Sequence, residues 1–358
     1  MKSEIPFHIK FKLQGKSFSS VEELISFSSE ISLEVHLFLK EWFNENIFVE
    51  VKTSGSTGVP KLIQLQKKHM VNSAKATAVF FNLKERTSAL LCMSPNFIAG
   101  KMMLVRALTL GWELDIVEPS SNPLQNSTKN YDFVAMVPLQ LANSINQFHR
   151  IKKLIVGGGV VSNELNEKIQ SATTEIYATY GMTETITHIA VKRLNNFNGC
   201  HSKLVAERSR SAHYTILPNI KISTDDRGCL VIDAPLISNE IVITNDLVEL
   251  ISETTFKWLG RFDSVINSGG IKLIPEQIEE KLASILKQRF FVAGIPDNNL
   301  GEKLILVVEG EKDNFILDEV KHLTALSKFE KPKAIYFIST FIETETKKIN
   351  RLKTVGLL

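Results

Sequence analysis

The pattern of apolar and polar positions changes character three times along this chain. Over residues 20–43, Leu24, Ile25, Leu33, Val35, Leu37, Phe38 and Leu39 recur at helical intervals behind a Ser20-x-x-Glu23 capping box, which predicts one covering helix. From residue 47, strand-like runs (47–51, 89–93, 113–117, 132–137, 153–156, 175–178) alternate with helical patterns (69–81, 101–110, 139–148, 164–171). Such alternation predicts an α/β fold with a mostly parallel sheet. Residues 195–211 are polar and read as loop. Between 213 and 260 the runs become short and turn-separated (213–223, 229–233, 240–244, 248–251, 256–259), which predicts a small antiparallel sheet or barrel. A third style follows: helix 275–286 opened by Pro275, strands 290–294 and 304–308, helix 315–326 and strand 334–338. The expected organisation is a large domain over residues 1–262, its β-rich part at about 213–260, and a small mobile α+β domain over 263–358.

Composition narrows the class. At 358 residues, 44% hydrophobic and 23% charged, the chain can bury a sizeable core. A net charge of +3 gives no argument for nucleic acid or a membrane surface. Cys92, Cys200 and Cys229 have no metal or redox spacing and read as ordinary thiols of a reducing compartment. The first residues lack a secretory apolar core, and no apolar run is long enough to span a bilayer, so the expected address is the cytoplasm.

In open α/β sheets, ligands gather beyond the carboxyl ends of strands, and the chemistry-bearing residues fall there. Residues 53–61, T-S-G-S-T-G-V-P-K, follow the strand-like run 47–51. Gly55 and Gly58 let backbone N–H groups converge, Thr53, Ser54, Ser56 and Thr57 add hydroxyls, and Lys61 adds a charge; together they suit a polyphosphate. Alone, such a loop also fits a flexible turn. Gly157, Gly158 and Gly159 end another strand. In Y-G-M-T-E, Tyr180 offers an aromatic face, Thr183 a hydroxyl and Glu184 a hard oxygen ligand for Mg²⁺, although, taken alone, a half-buried tyrosine and a solvated glutamate are the stronger reading. Asp246, read as the end of a strand, suits ribose hydroxyls, and Arg261 in G-R-F-D suits the same sugar; a surface ion pair is the alternative. Gly269 and Gly270 permit close approach of a ligand, or simply a hairpin turn.

The order of these signals resembles the acyl-adenylate-forming superfamily of acyl-CoA synthetases, adenylation domains and luciferases, from about residue 47 to 351. T-S-G-S-T-G-V-P-K is similar to its phosphate loop, Y-G-M-T-E (with Gly181 and Met182) to its adenine and magnesium motif, and Asp246 to its ribose aspartate. G-R-F-D is similar to its ribose arginine with hinge aspartate, here Asp263. S-G-G-I-K-L-I-P-E-Q-I-E resembles the segment that opens its C-terminal domain. T-K-K-I-N-R stands where the family has T-x-x-G-K-I-x-R, which aligns Lys348 with the catalytic lysine and puts Lys347 in place of a glycine. Within the superfamily the chain most resembles short o-succinylbenzoate–CoA ligases of menaquinone biosynthesis.

The resemblance implies ATP, Mg²⁺ and coenzyme A, a small carboxylic acid, and an acyl-AMP intermediate. It implies phosphate contacts from Lys61, metal contact from Glu184, catalysis by Lys348 with Thr183 and Glu184, and a coenzyme A path at Gly269 and Gly270. The acyl pocket would draw on Asn96, Phe97, Ile98, Lys101, Arg106, Met182 and His188. Ile98 stands where the family often has histidine. Loading of a carrier protein is the alternative within the superfamily. A nucleotide-binding regulator without ligase activity is the alternative outside it.

Overall fold

The computed structural model describes residues 6–52, 62–195, 213–344 and 349–358. The predicted helix over 20–43 is instead two: α1 (Val21–Ser28) and α2 (Leu33–Trp42). The serines between them decide this. Ser28 and Ser29 turn their hydroxyls back onto Ile25 O and Ser26 O, and Ser32 starts a new helix by accepting from Val35 N–H. Ser20 caps α1 through Glu23 N–H as expected, but the Glu23 carboxylate accepts from Ser19 instead of closing the box on Ser20. After the break α2 is rephased, so Val35, Phe38 and Leu39 are buried while Leu33 and Leu37 face outward.

A strand pair, β2 (Phe48–Lys52) and β3 (Leu62–Gln66), then forms an antiparallel ladder around the 53–61 stretch, which lies outside the described residues. Helix α3 (Lys67–Phe81) follows β3 directly. A twelve-stranded sheet organises the rest. Its edge strand is β1 (Lys12–Leu13). Its parallel half is β5 (Glu113–Ile116), β4 (Ser88–Leu91), β6 (Tyr131–Met136), β7 (Ile151–Val156) and β8 (Glu175–Gly181).

These parallel strands are buried on both faces, and side-chain alternation divides them between two cores. Ala89, Leu91, Phe133, Ala135 and Ile155 face α1–α3 and α4 (Ile98–Leu110). Leu90, Cys92, Val134, Met136, Leu154 and Val156 face α5 (Pro138–Asn143), the following 3₁₀ turn and α6 (Asn163–Lys168).

Strand β9 (His188–Arg193), which the pattern did not reveal, pairs antiparallel with β8 and reverses the sheet. Beyond it the order is β10 (Tyr214–Ile216), β14 (Thr255–Arg261), β13 (Val242–Ser252), β12 (Cys229–Asp233) and β11 (Lys221–Thr224), all antiparallel. The β-rich stretch therefore extends the large sheet in one ladder. The runs expected at 240–244 and 248–251 are one strand, β13, bent at a register shift after Leu247.

The C-terminal strands form a second sheet: β16 (Ile271–Leu273), β15 (Ile266–Ser268), β18 (Gly301–Glu309) and β17 (Phe290–Asp297), with β19 (Ala334–Ile338) parallel to β18. Helix α7 (Pro275–Leu282) buries Ile278 and Leu282 with Val292, Leu304 and Leu306, beside α8 (Asn314–His322). The opposite face holds Phe291, Ile305, Val307 and Phe341 and is approached by α9 (Arg351–Val355). Helix α7 also lies on β14, and Ser264 Oγ donates to Glu276 Oε1 at 2.9 Å. Among the described residues no helix is long and apolar enough to cross a membrane.

Candidate functional site

The turn after β8 is built under constraint. Gly181 has no room for a side chain, because a Cβ there would lie 2.2 Å from Thr187 O. The next residues make a 3₁₀ turn, Thr183–Thr185, tied by Thr185 Oγ1, which accepts from Met182 N–H and lies 3.0 and 2.9 Å from Met182 O and Thr187 O. Ile186 then takes φ +66° and ψ −60°, and Thr187 N–H donates to Thr185 O at 2.7 Å, a γ-turn. For a β-branched residue this conformation is strained, and such strain clusters at ligand sites. Its effect is to present Thr183 and Glu184 outward while Ile186 and His188 turn into the core.

Tyr180 and Asp246 meet across the sheet. The tyrosine hydroxyl donates to Asp246 Oδ2 at 2.7 Å, and Trp258 Nε1 donates to Oδ1 at 3.1 Å. Burial, and then the Asp246 charge, drive the Tyr180 hydroxyl pKa far up, so it stays a donor. Asp246 lies within β13 and not at its end, a correction to the sequence reading; its buried N–H is held by Thr244 Oγ1. A carboxylate has about four acceptor positions, so Asp246 keeps capacity for further donors. The Tyr180 ring meets Phe256 edge-on at 5.2 Å and Tyr214 tilted at 5.7 Å. Arg261 stands opposite Asp246 in the ladder but forks onto Asp263, Nε to Oδ1 at 2.9 Å and Nη2 to Oδ2 at 2.6 Å. That pairing raises the Arg261 pKa and lowers that of Asp263. In this arrangement the expected ribose arginine and hinge aspartate hold each other.

Gly157, Gly158 and Gly159 leave the carboxyl end of β7 beside Thr179, whose hydroxyl donates to Val156 O. Gly269 and Gly270, with φ +59° and +81°, form the two-residue turn of the β15–β16 hairpin, the geometry of a type I′ turn. Thr53, Ser54, Gly55, Ser56, Thr57, Gly58 and Lys61 lie outside the described residues, as do Lys347 and Lys348. Among the described residues no group of three or more His, Cys, Asp or Glu side chains is placed to hold a metal ion. Glu184 is a single exposed carboxylate, a fit for Mg²⁺ that keeps most of its ligands on phosphate and water.

The acyl-pocket candidates divide sharply. Asn96 donates to Glu34, and Phe97 is exposed ahead of α4. Ile98 and Met182 pack against the larger core. Lys101 is buried but paired with Glu41 at 3.1 Å, its ammonium over the Phe38 ring. Arg106 is 2% exposed, and among the described residues it has no carboxylate partner: Nη1 approaches only Met103 Sδ at 3.7 Å, and Nε and Nη2 have no hydrogen-bond partner. Burial pulls its pKa down to about 10. Buried His188 lies within its field; burial first and the Arg106 charge second hold the imidazole neutral. Among the described residues its ring nitrogens reach only Thr77 and Thr187 hydroxyls, each at 3.5 Å.

The fold neighbours place this architecture among acyl-CoA synthetases. An acyl-CoA synthetase (AMP-forming)/AMP-acid ligase II-like protein from Dyadobacter fermentans is 36% identical, with 90% of this chain and 93% of that one covered and a TM-score of 0.59. An O-succinylbenzoate coenzyme A synthetase from Bacillus subtilis, solved with ATP and magnesium, gives a TM-score of 0.71 at 20% identity, over 86% of this chain and 69% of that one. A 2-succinylbenzoate–CoA ligase from Bacillus cytotoxicus is 24% identical over 86% of this chain and 69% of its own length. The AMP-binding enzyme family model matches residues 40–205. The chain belongs to this family of AMP-binding enzymes.

Proposed function

We propose that this enzyme joins o-succinylbenzoate to coenzyme A at the expense of ATP. A carboxylate oxygen attacks the α-phosphorus, the bond to pyrophosphate breaks, and acyl-AMP forms. The coenzyme A thiol then gives up its proton and displaces AMP, leaving the thioester. An anion attacking a polyanion needs charge neutralisation above all. Lys61 and the 53–58 loop would hold the β- and γ-phosphates, Lys348 would sit against the α-phosphate, and Glu184 would hold Mg²⁺. Tyr180 and Asp246 would frame the adenosine. The small domain would turn about Asp263 between the steps, exchanging Lys348 for Gly269 and Gly270 at the site.

One observation carries the choice of acid. Arg106 is a buried cation whose Nε and Nη2 lack partners among the described residues. An uncompensated buried charge costs several kcal/mol, so a ligand that supplies an anion there gains that energy as affinity. o-Succinylbenzoate has a second carboxylate to supply it. The names of the relatives point to the same acid. The test is pyrophosphate release across a panel of carboxylic acids, with and without coenzyme A. o-Succinylbenzoate should give the highest kcat/KM, with thioester formed only when coenzyme A is present. Preference for a monocarboxylic acid would sink the reading.

A further inference from the structure

Among the described residues, the non-glycine positions at positive φ are Gln14, Asn82, Arg86, Ile186 and Asn219, and of these only Ile186 is β-branched. Asn82 ends α3 in the ordinary left-handed form, φ +51° and ψ +48°. Ile186, at φ +66° and ψ −60°, lies outside it. Glycine would take that shape without strain, so what isoleucine adds is its side chain. That side chain is 1% exposed and belongs to the larger core. Strain at one residue and burial of one aliphatic side chain are of the same order, so the burial can hold a turn that the backbone alone resists.

Two more clamps act on the same turn. Thr185 is fully buried, and its Oγ1 accepts from Met182 N–H at 3.1 Å. On the other side, a Cβ at Gly181 would lie 2.2 Å from Thr187 O and 2.5 Å from His188 Cα, so the chain after Ile186 is pressed against the end of β8. The turn also packs on β3, the strand that leads out of the 53–61 stretch. Thr185, Ile186 and His188 are buried, whereas Glu184 before them is exposed. The anchors thus fix the backbone of the turn and leave the carboxylate free for a ligand.

We infer that Ile186 is a positioning residue for Glu184. Its buried side chain anchors the strained turn, so that the Glu184 carboxylate is held beside β3 before a ligand arrives and meets there a divalent cation carried by a nucleoside triphosphate. The inference rests on the reading of Glu184 as the metal ligand and adds what fixes that ligand in place. On a relaxed turn the carboxylate would have to be ordered as the metal binds, which lowers affinity. Mg²⁺ is sensitive to this, because it demands near-ideal geometry and takes only one or two carboxylates beside phosphate and water.

The experiment measures binding of a non-hydrolysable ATP analogue by isothermal titration, once with Mn²⁺ and once in EDTA, with no acid present. The ratio of the two dissociation constants is the gain from the metal. Ile186→Gly frees the backbone and removes the anchor. It should cut the gain about tenfold, the low end of what a metal site loses with a supporting partner, and leave affinity in EDTA unchanged. Ile186→Val keeps a branched buried side chain and should keep the gain. Glu184→Gln should lose the gain at least as fully as Ile186→Gly. If Ile186→Gly does not fold, Thr185→Val, which removes the Oγ1 clamp, is scored in the same way. A full gain in folded Ile186→Gly, with the gain lost in Glu184→Gln, would overturn the inference and leave the metal reading standing. An equal fall with Mn²⁺ and in EDTA would assign Ile186 to the fold alone. A full gain in Glu184→Gln would remove the metal reading, and the inference with it.

Discussion

The two ends of helix α4 make different use of the same kind of residue. Near its start Lys101 is buried, but Glu41 neutralises it and the Phe38 ring lies under the ammonium. Five residues further on, Arg106 is more deeply buried and has no anion near it among the described residues. The first arrangement is complete in itself and joins α4 to α2. The second is incomplete, and a protein that keeps a bare guanidinium in its core loses stability by doing so. The difference separates a cation neutralised within the fold from one that, on the proposed function, takes its counter-ion from the ligand. Charge and burial are shared by both; the presence of a counter-ion is what divides them.

Substitution at Arg106 should separate the two ends most strongly. Arg106→Met should lower kcat/KM for o-succinylbenzoate by about 10–10², the loss expected when a charge-assisted contact is removed, and should raise the melting temperature, because an unpaired buried charge is gone. Steady-state kinetics and a thermal melt read the two effects. A fall in melting temperature would mean that Arg106 supports the fold and has an anion in solution.

Glu41→Ala should make the Lys101 end resemble the Arg106 end. With Glu41 partly exposed, stranding Lys101 should destabilise the protein by about 2–3 kcal/mol, somewhat below the range for a fully buried pair. Lys101→Met should recover most of that loss in the double variant, read by denaturant unfolding. If the double variant is no more stable than Glu41→Ala alone, the pair is not the source of the effect.

The smallest effect concerns pH. The folded-state pKa of His188 lies below its unfolded value, so the neutral ring contributes stability that is present above the ordinary histidine pKa of about 6.5 and is lost as pH falls below it. His188→Gln should therefore flatten the drop in melting temperature between about pH 6.5 and 5 by a few degrees, roughly 1 kcal/mol. Parallel pH profiles for the two proteins would show that His188 is not buried in its neutral form.

The alternation of elements was legible from residue 47 onward because strands buried on both faces and short amphipathic helices leave unmistakable periods in sequence. The helix at 20–43 was misread because periodicity cannot register hydroxyls that turn back on the backbone. Strand β9 was missed because the constrained turn before it, with Gly181 against Thr187 and Ile186 at positive φ, masks the start of its alternation. Asp246 was nominated by motif, but its hold on Tyr180 and Trp258 depends on strands distant in the chain.

By itself the sequence determined which local elements form, where the glycine and hydroxyl motifs fall relative to strand ends, and hence the family. Those properties depend on neighbours along the chain, which the order of residues states directly. Only the tertiary structure decided that Lys101 is paired, that Arg106 is unpaired among the described residues, and that Ser73 and His188 share a cavity. Each is a meeting or a failure to meet of side chains from separate elements, and electrostatic energy depends on that distance and on the loss of water, neither of which is written in sequence spacing.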